Sequence, residues 1–413
     1  MANIIPFRGI LYNVSKVSME DVLAPPYDII TPEYREALYM QSQFNIVRID
    51  FGKEEPGDDE TENKYSRAAK YLDQWMEEGI FIRSNKPCFY VYEMSYSICN
   101  VRKRLIGFLC LVKLEELGSG SIHPHECTHS KPKQDRLNLM KACNANTSPI
   151  FSLYKSSDGN ISEILSKIST TKPYLEAADI GGDVHRLWQI SDAEEIRIMA
   201  RELQDKAVFI ADGHHRYETA YEFFRESSLK GNPAGAGTAD HVLMFLTNML
   251  DEGITILPTH RLIKDAAEDM EKVLAEYFEE EEVTGDFDIK KRLSGKSRSF
   301  GFFRNGRESW HLLTFKGGNL SDVPPDLREI DVFVLHELIL RRMSIQTTDI
   351  GYEMDVNKAL EKVRSGEFGA AFFLNPTRVE DVEKSALSSV RMPPKSTYFY
   401  PKLLTGLVVN KFS

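Results

Sequence analysis

The stretch AVFIADGHHRYETA, Ala207 to Ala220, decides how this chain is read. Ala207 to Ala211 is a short apolar run that predicts a buried strand. Asp212-Gly213 marks a sharp turn, and a helix begins within the next few residues, with Tyr217 to Glu226 as its body. A helix N-terminus presents backbone N–H groups and partial positive charge, which suits an anion such as phosphate. Gly213 lets the backbone approach closely, and His214, His215 and Arg216 add donors, the guanidinium matching phosphate oxygens in pairs. Asp212 can position a metal ion or take a proton from an attacking hydroxyl. The same letters also describe an Asp N-cap followed by two surface histidines, and spacing alone does not choose.

Strand and helix patterns alternate on both sides of this turn. Ala193 to Lys206 reads as a helix leading into the strand, and His241 to Leu250 as a strand beyond it. Tyr65, Ala68, Ala69, Leu72, Trp75 and Met76 recur at steps of three and four, marking an amphipathic helix. Pro87 to Met94 and Leu105 to Leu114 read as strands joined by a basic turn, NVRKR. Val332 to Met343 and Val356 to Ser365 read as helices, and Gly369 to Leu374 as a strand. The expected class is α+β. Gly52 to Asn63, Gly231 to Asp240 and Gly317 to Asp326 carry the turn-forming composition of exposed loops.

A second constellation is HPHECTHSKPKQDR, His123 to Arg136. Glu126 and Asp135 are acid/base or metal-binding candidates there, and Lys133 and Arg136 counter phosphate charge. Zinc ligation by His123, His125 and His129 with Glu126 or Cys127 lacks H-E-x-x-H or paired C-x-x-C spacing. An exposed charged loop fits the same letters. In LAPPYDII, Leu23 to Ile30, two prolines stiffen the chain before Asp28, either fixing an acid near a pocket or making a turn with an Asx cap. PTHR, Pro258 to Arg261, offers His260 and Arg261 as pocket-wall candidates, and MPPKSTYFYPK, Met392 to Lys402, is a further polar set.

Composition bounds the partners. Fifty-one Lys+Arg against 62 Asp+Glu leave a formal charge of −11 over 413 residues, which argues against non-specific coating of nucleic acid or anionic membrane. The longest apolar run, Leu105 to Val112, is far short of the roughly 20 residues that cross a bilayer, so no membrane partner is expected. The N-terminal letters carry no signal-peptide pattern. Five cysteines without a C-x-x-C pair fit reduced thiols, and the expected location is cytoplasmic. G-K-S at Gly295 to Ser297 has Lys290 where a P-loop needs glycine, Gly118-Ser119-Gly120 has His123 where a dinucleotide fingerprint needs its third glycine, and G-x-S-x-G is absent.

Taken together, APPYDII, PHECT, KPKQDRL, NANTSPIFSLY, ADGHHRYETA, LPTHR and MPPKSTYFYPKLLTG resemble the domain-of-unknown-function family numbered 1015, over almost the whole chain from near Pro25 to about Gly406. The D-G-H-H-R turn in turn resembles the phosphate motif of the ParB/sulfiredoxin superfamily, whose D-G-[TH]-H-R members resemble free-serine kinases. That resemblance implies a ParB/sulfiredoxin-like mixed sheet core with additional α/β layers or a second domain. It places nucleotide phosphate on Gly213, His214, His215 and Arg216, with Asp212 beside the transferred group. It emphasises His125 and Glu126, and leaves Asp28 and Glu126 competing for the role of the kinases' catalytic glutamate. The expected division is 1–120, 121–262 with the phosphate turn, and 263–413, within one family unit.

The function so implied is a nucleotide-dependent phosphotransferase acting on a small hydroxylated metabolite, with free L-serine as the leading acceptor. Its cofactor is Mg²⁺ with ATP or another nucleotide, the metal reached through Asp212 or Glu126. The partners are then the small substrate and the nucleotide, with no nucleic acid expected. Two alternatives stand beside it: a non-catalytic nucleotide switch of ParB type, for which no helix-turn-helix is found, and a metal-dependent hydrolase built on His123 to His129.

Overall fold

Phe89–Ile98 and Val101–Lys113 form a long antiparallel hairpin at the middle of the largest sheet. From Leu105 to Val112 nearly every side chain is buried, so both faces of the second strand are covered and its sequence shows no polar alternation. Cys99 and Asn100, with φ of 49° and 63°, make the two-residue turn of this hairpin. Of NVRKR, only Asn100 belongs to the turn. Val101 to Arg104 continue the ladder past the core, opposite Ile98 to Ser95, where a charged solvated strand end is sterically ordinary.

The computed structural model describes residues 2–126, 130–229, 239–266, 269–284, 288–318, 320, 323–388 and 390–412. The chain divides into two units. The first gathers residues 1–124, 128–255 and 401–413, and the second 125–127 and 256–400. Among the described residues, no helix is long and apolar enough to cross a membrane.

The first unit is mixed α/β. Its large sheet runs Ile122–Pro124, Val208–Asp212, Ile150–Tyr154, His241–Asn248, Val101–Lys113, Phe89–Ile98, Val184–Ile190, Leu175–Ala178, with Ile4–Ile5 also pairing onto Val101–Lys113. Val208–Asp212 is parallel to Ile122–Pro124 and antiparallel to Ile150–Tyr154, and His241–Asn248 is parallel to Ile150–Tyr154. The core joins Phe89, Phe108, Cys110, Val112 and Met244 of the sheet to Ile161, Leu165, Met199, Leu203, Tyr217 and Ala220 of helices. Each large side chain among these contributes about 1.5–3 kcal/mol by leaving water. Lys64–Glu77 is the amphipathic helix read from its spacing, and begins at a capping box in which Asn63 and Ser66 bond each other's backbone.

In the second unit Phe278–Val283, Trp310–Phe315, Ser299–Arg304, Ala370–Phe373, His260–Ile263 and Ile350–Glu353 form an antiparallel sheet. Two apolar clusters flank it. Ile263, Phe300, Phe302 and Phe372 face Asp331–Leu335 and the residues after it, and Leu262, Phe303, Ala371 and Phe373 face Val356–Arg364. The helix expected over Val332 to Met343 is Asp331–Leu335 followed by a turn of π-helix, His336–Leu340.

Candidate functional site

The Val208–Asp212 strand ends in a register shift between Ile210 and Asp212, and Gly213 then turns the chain with φ +93°. The helix starts at once, spanning His214–Leu229, three residues earlier than the expected body at Tyr217. The cause is local: the positive φ of Gly213 reverses the chain within one residue, so the first helical turn is made by His214, His215 and Arg216. Tyr217 N donates to Gly213 O at 3.1 Å, and the N–H groups before it therefore lie at the N-terminal end of the helix.

The side chains at this turn are not a solvated face. His214 and Arg216 are buried, and His215 and Asp212 are half-buried. Arg216 Nη2 meets Asp212 Oδ2 at 3.2 Å, Nη1 donates to the carbonyl oxygen of Pro149, and Lys402 Nζ stands 3.5 Å from Asp212 Oδ1. The Arg216 guanidinium lies over Gly213 so closely that a Cβ there would meet Nε at 2.9 Å. Glycine is required here by both conformation and space.

The KPKQDR segment starts the Ser130–Cys143 helix, which packs on His214–Leu229. Lys133 pairs with Glu218 at 3.0 Å, and its carbonyl accepts from Thr219 Oγ1. Arg136 is buried and fully engaged: Nε and Nη2 donate to Asp135 Oδ2 at 2.9 and 2.6 Å, and Nη1 to Asp50 O at 2.7 Å. Its guanidinium lies 4.1 Å from the Tyr27 ring centre. Asp135 also accepts from Tyr65 Oη and pairs with Lys64. Burial pushes the Asp135 carboxyl up, but Arg136 and Lys64 outweigh it and hold the group below its usual range. Burial raises the Tyr27 phenol to about 12, while Arg136 and Arg216 pull it down, so both cations stand near one ring. Asp28, next to it on the turn Tyr27–Ile29, is exposed. A cavity of about 20 Å³, room for roughly one water, is lined by Arg136, Thr147, Ser148 and Arg216.

The first unit thus brings together Asp212, Gly213, Arg216, Lys133, Arg136, Asp135 and the Tyr27-Asp28 turn. Asp50, Thr147, Pro149 and Lys402 join them; Asp50 was not singled out from sequence, and the other three stood only within the quoted stretches NANTSPIFSLY and MPPKSTYFYPK. Asp50 Oδ1 accepts from Thr147 Oγ1 at 2.7 Å, which anchors the NTSP segment under Arg216.

His125, Glu126, His260 and Arg261 belong to the second unit. His125 is fully buried, its Nε2 2.9 Å from Thr397 Oγ1. Glu126 Oε1 accepts from Ser396 N, Thr397 N and Thr397 Oγ1 at 3.0, 3.1 and 3.2 Å. His260 is buried on the Phe373 ring, and Nδ1 accepts from Leu374 N. Burial drives its pKa down to about 4, so it is neutral at physiological pH. Strand alternation turns Arg261 to the other side of the sheet. His123 lies in the first unit, stacked on Phe209, and burial lowers its pKa. Cys127 and His129 lie outside the described residues. Among the described residues, no group of three His, Cys, Asp or Glu side chains is placed to hold a metal.

The family model described as "Protein of unknown function (DUF1015)" matches residues 4–333. No curated protein matches the chain. Among solved structures, a conserved hypothetical protein from Pyrococcus furiosus is 15% identical, with TM-score 0.35, over 68% of this chain and 87% of that one. A free serine kinase in complex with AMP is 13% identical, with TM-score 0.36, over 69% and 92%. SbnI from Staphylococcus aureus, truncated at its C-terminus, is 12% identical, with TM-score 0.39, over 73% and 87%.

Proposed function

The chain belongs to the DUF1015 family, and for this member we propose a nucleotide-dependent phosphotransferase that phosphorylates a small hydroxylated metabolite, with free L-serine as the acceptor to test first. The observation that carries the reading is the D-G-H-H-R turn, where a strand end, a glycine at φ +93° and a helix start gather Arg216 and Lys402 about Asp212. The ParB/sulfiredoxin-like identity of the sheet and the cytoplasmic location are parts of the same reading.

Phosphoryl transfer asks a protein mainly for position and charge. The first-turn amides of His214–Leu229 and the Arg216 guanidinium receive phosphate oxygens, and Lys402 adds a second cation. Arg216 is held by Pro149 O and Asp212, so little reorganisation is needed when charge develops. The residues fit Mg²⁺ carried with a nucleotide, because Asp212 offers one hard carboxylate and Mg²⁺ takes its remaining ligands from phosphates and water. Bound there, Mg²⁺ would neutralise phosphate charge. Asp28, exposed beside Tyr27, is the first-unit candidate for accepting the acceptor's hydroxyl proton.

The test is incubation with ATP, Mg²⁺ and L-serine, with detection of ADP and phosphoserine. Asp212→Asn and Arg216→Met are expected to abolish turnover, and Asp28→Asn tests the base. ATP binding without ADP formation across serine and other hydroxylated acceptors would remove the kinase reading.

A further inference from the structure

Among its described residues, the second unit contains a buried cation with no ion-pair partner. Arg261, on the His260–Ile263 strand, is 3% exposed. Among the described residues its hydrogen bond is Nη1 to the carbonyl oxygen of Thr259, and its guanidinium lies 5.3 Å from the Tyr352 ring centre. No carboxylate of the described residues forms an ion pair with it. Desolvating an unpaired charge costs several kcal/mol, which folded proteins rarely tolerate without return. Burial lowers the Arg261 pKa to about 10, although Tyr352 and Glu126 act to raise it.

A second orphan stands beside it. Thr259, whose carbonyl Arg261 reaches, is 5% exposed, and its Oγ1 has no hydrogen-bond partner among the described residues. A buried hydroxyl left so costs about 1–3 kcal/mol, and such groups call for a specific reason. The nearby carboxylate is half used. Glu126 Oε1 accepts three hydrogen bonds from Ser396 and Thr397, while Oε2 takes none among the described residues. Glu126 acts on Arg261 through space without reaching ion-pair distance, so anion and cation are held apart. His336, which opens the π-helical turn, also feels the charge of Arg261. Such turns recur at functional sites.

We propose that Thr259, Arg261 and Glu126 form a binding site for a small zwitterion of the α-amino acid class. Arg261 and Thr259 Oγ1 take its carboxylate, and Glu126 Oε2 takes its ammonium group. A planar carboxylate satisfies the guanidinium in the paired geometry that arginine favours, and its second lone pairs accept the threonine proton. The site lies wholly within the second unit and stands whether or not the phosphate turn transfers phosphate.

The test is calorimetric titration of the full chain without nucleotide. The probes are L-serine, L-alanine and L-glutamate, with ethanolamine lacking the carboxylate and lactate lacking the ammonium group. At least one amino acid is expected to bind about tenfold or more tightly than ethanolamine and lactate, the value of one good hydrogen-bonded contact. Thr259→Val keeps the shape and removes the orphan hydroxyl. It should weaken amino acid binding about tenfold while the melting temperature holds or rises, because the hydroxyl has no partner to lose. Arg261→Met should abolish binding, and should it fail to fold, the Thr259→Val comparison still decides. Absence of binding by all three amino acids, equal binding of ethanolamine, or unchanged affinity in Thr259→Val would overturn the proposal. Loss of kinase activity with binding intact would strike only the earlier reading.

Discussion

Replacing Gly213 with alanine separates two demands that the turn makes on one residue. The first is conformational: at φ +93° any side chain is strained, at a cost of about 1–2 kcal/mol. The second is spatial. The new Cβ would stand 2.9 Å from Arg216 Nε and 3.0 Å from Cζ and Nη2, so the guanidinium must move. Moving it loosens the 3.2 Å contact with Asp212 and the bond to Pro149 O, and hydrogen bonds to charged groups are worth about 1.5–3 kcal/mol each. A total loss of about 2.5–5 kcal/mol follows if one such bond is lost. Gly159 is the internal control, with φ +85° and nothing within 4 Å of an added Cβ, so Gly159→Ala incurs the conformational cost alone. Urea unfolding of both variants gives the difference directly, provided the slopes match wild type. Equal destabilisation of the two would refute the reasoning that Arg216 is clamped over the turn. The same displacement should weaken ATP binding in Gly213→Ala and leave it unchanged in Gly159→Ala.

Two further predictions concern stability. Arg136→Met leaves the Asp50 and Asp135 carboxylates without their shared cation and should cost about 3–5 kcal/mol by urea unfolding; a loss below about 1 kcal/mol would mean that the pair is effectively solvated. Asp331, which accepts from Arg298 N at 2.6 Å, is raised by burial from 3.8 to about 6. A carboxyl raised on folding contributes stability below its unfolded pKa, and the contribution is lost as pH rises through 3.8 to about 6. At pH above 7 the ionised group therefore costs up to about 3 kcal/mol. Asp331→Asn should be more stable than wild type there and lose that advantage below pH 4, and a pH-independent difference between the two would contradict the assignment.

The strand, glycine and helix around Asp212 were legible because each signal is local. The exact onset of the helix was not, because His214 and Arg216 are buried, and Arg216 is satisfied by Pro149 O and Asp212, which no local signal shows. NVRKR misled for the converse reason. Its charges suggested a turn, yet a strand that outruns its core is free to carry them, and Cys99-Asn100 supplies the reversal. KPKQDR was legible as a concentration of charge, but not its wiring, since Arg136 depends on Asp50 and Tyr27 far away in sequence. The partners of Glu126 are more remote still. Ser396 and Thr397 lie about 270 residues on, and no spacing rule joins them, although MPPKST stood out as a polar set. His260 and Arg261 looked equivalent in PTHR, and strand alternation separates a neutral core imidazole from a guanidinium without an ion pair among the described residues.

The first unit is interrupted by the second, and this sets an order of events in synthesis. Lys402 and the Asn410–Lys411 strand, which pairs with Ala145–Asn146, are translated after residues 256–400. At about 5–20 residues per second, that interval lasts on the order of ten seconds. Through it the Asp212-Gly213 turn exists without Lys402, and Ala145–Asn146 without its pairing strand. A nascent chain can therefore build most of the proposed nucleotide site while still lacking Lys402. Ribosome-bound chains stalled before Pro401 should accordingly bind ATP more weakly than released protein.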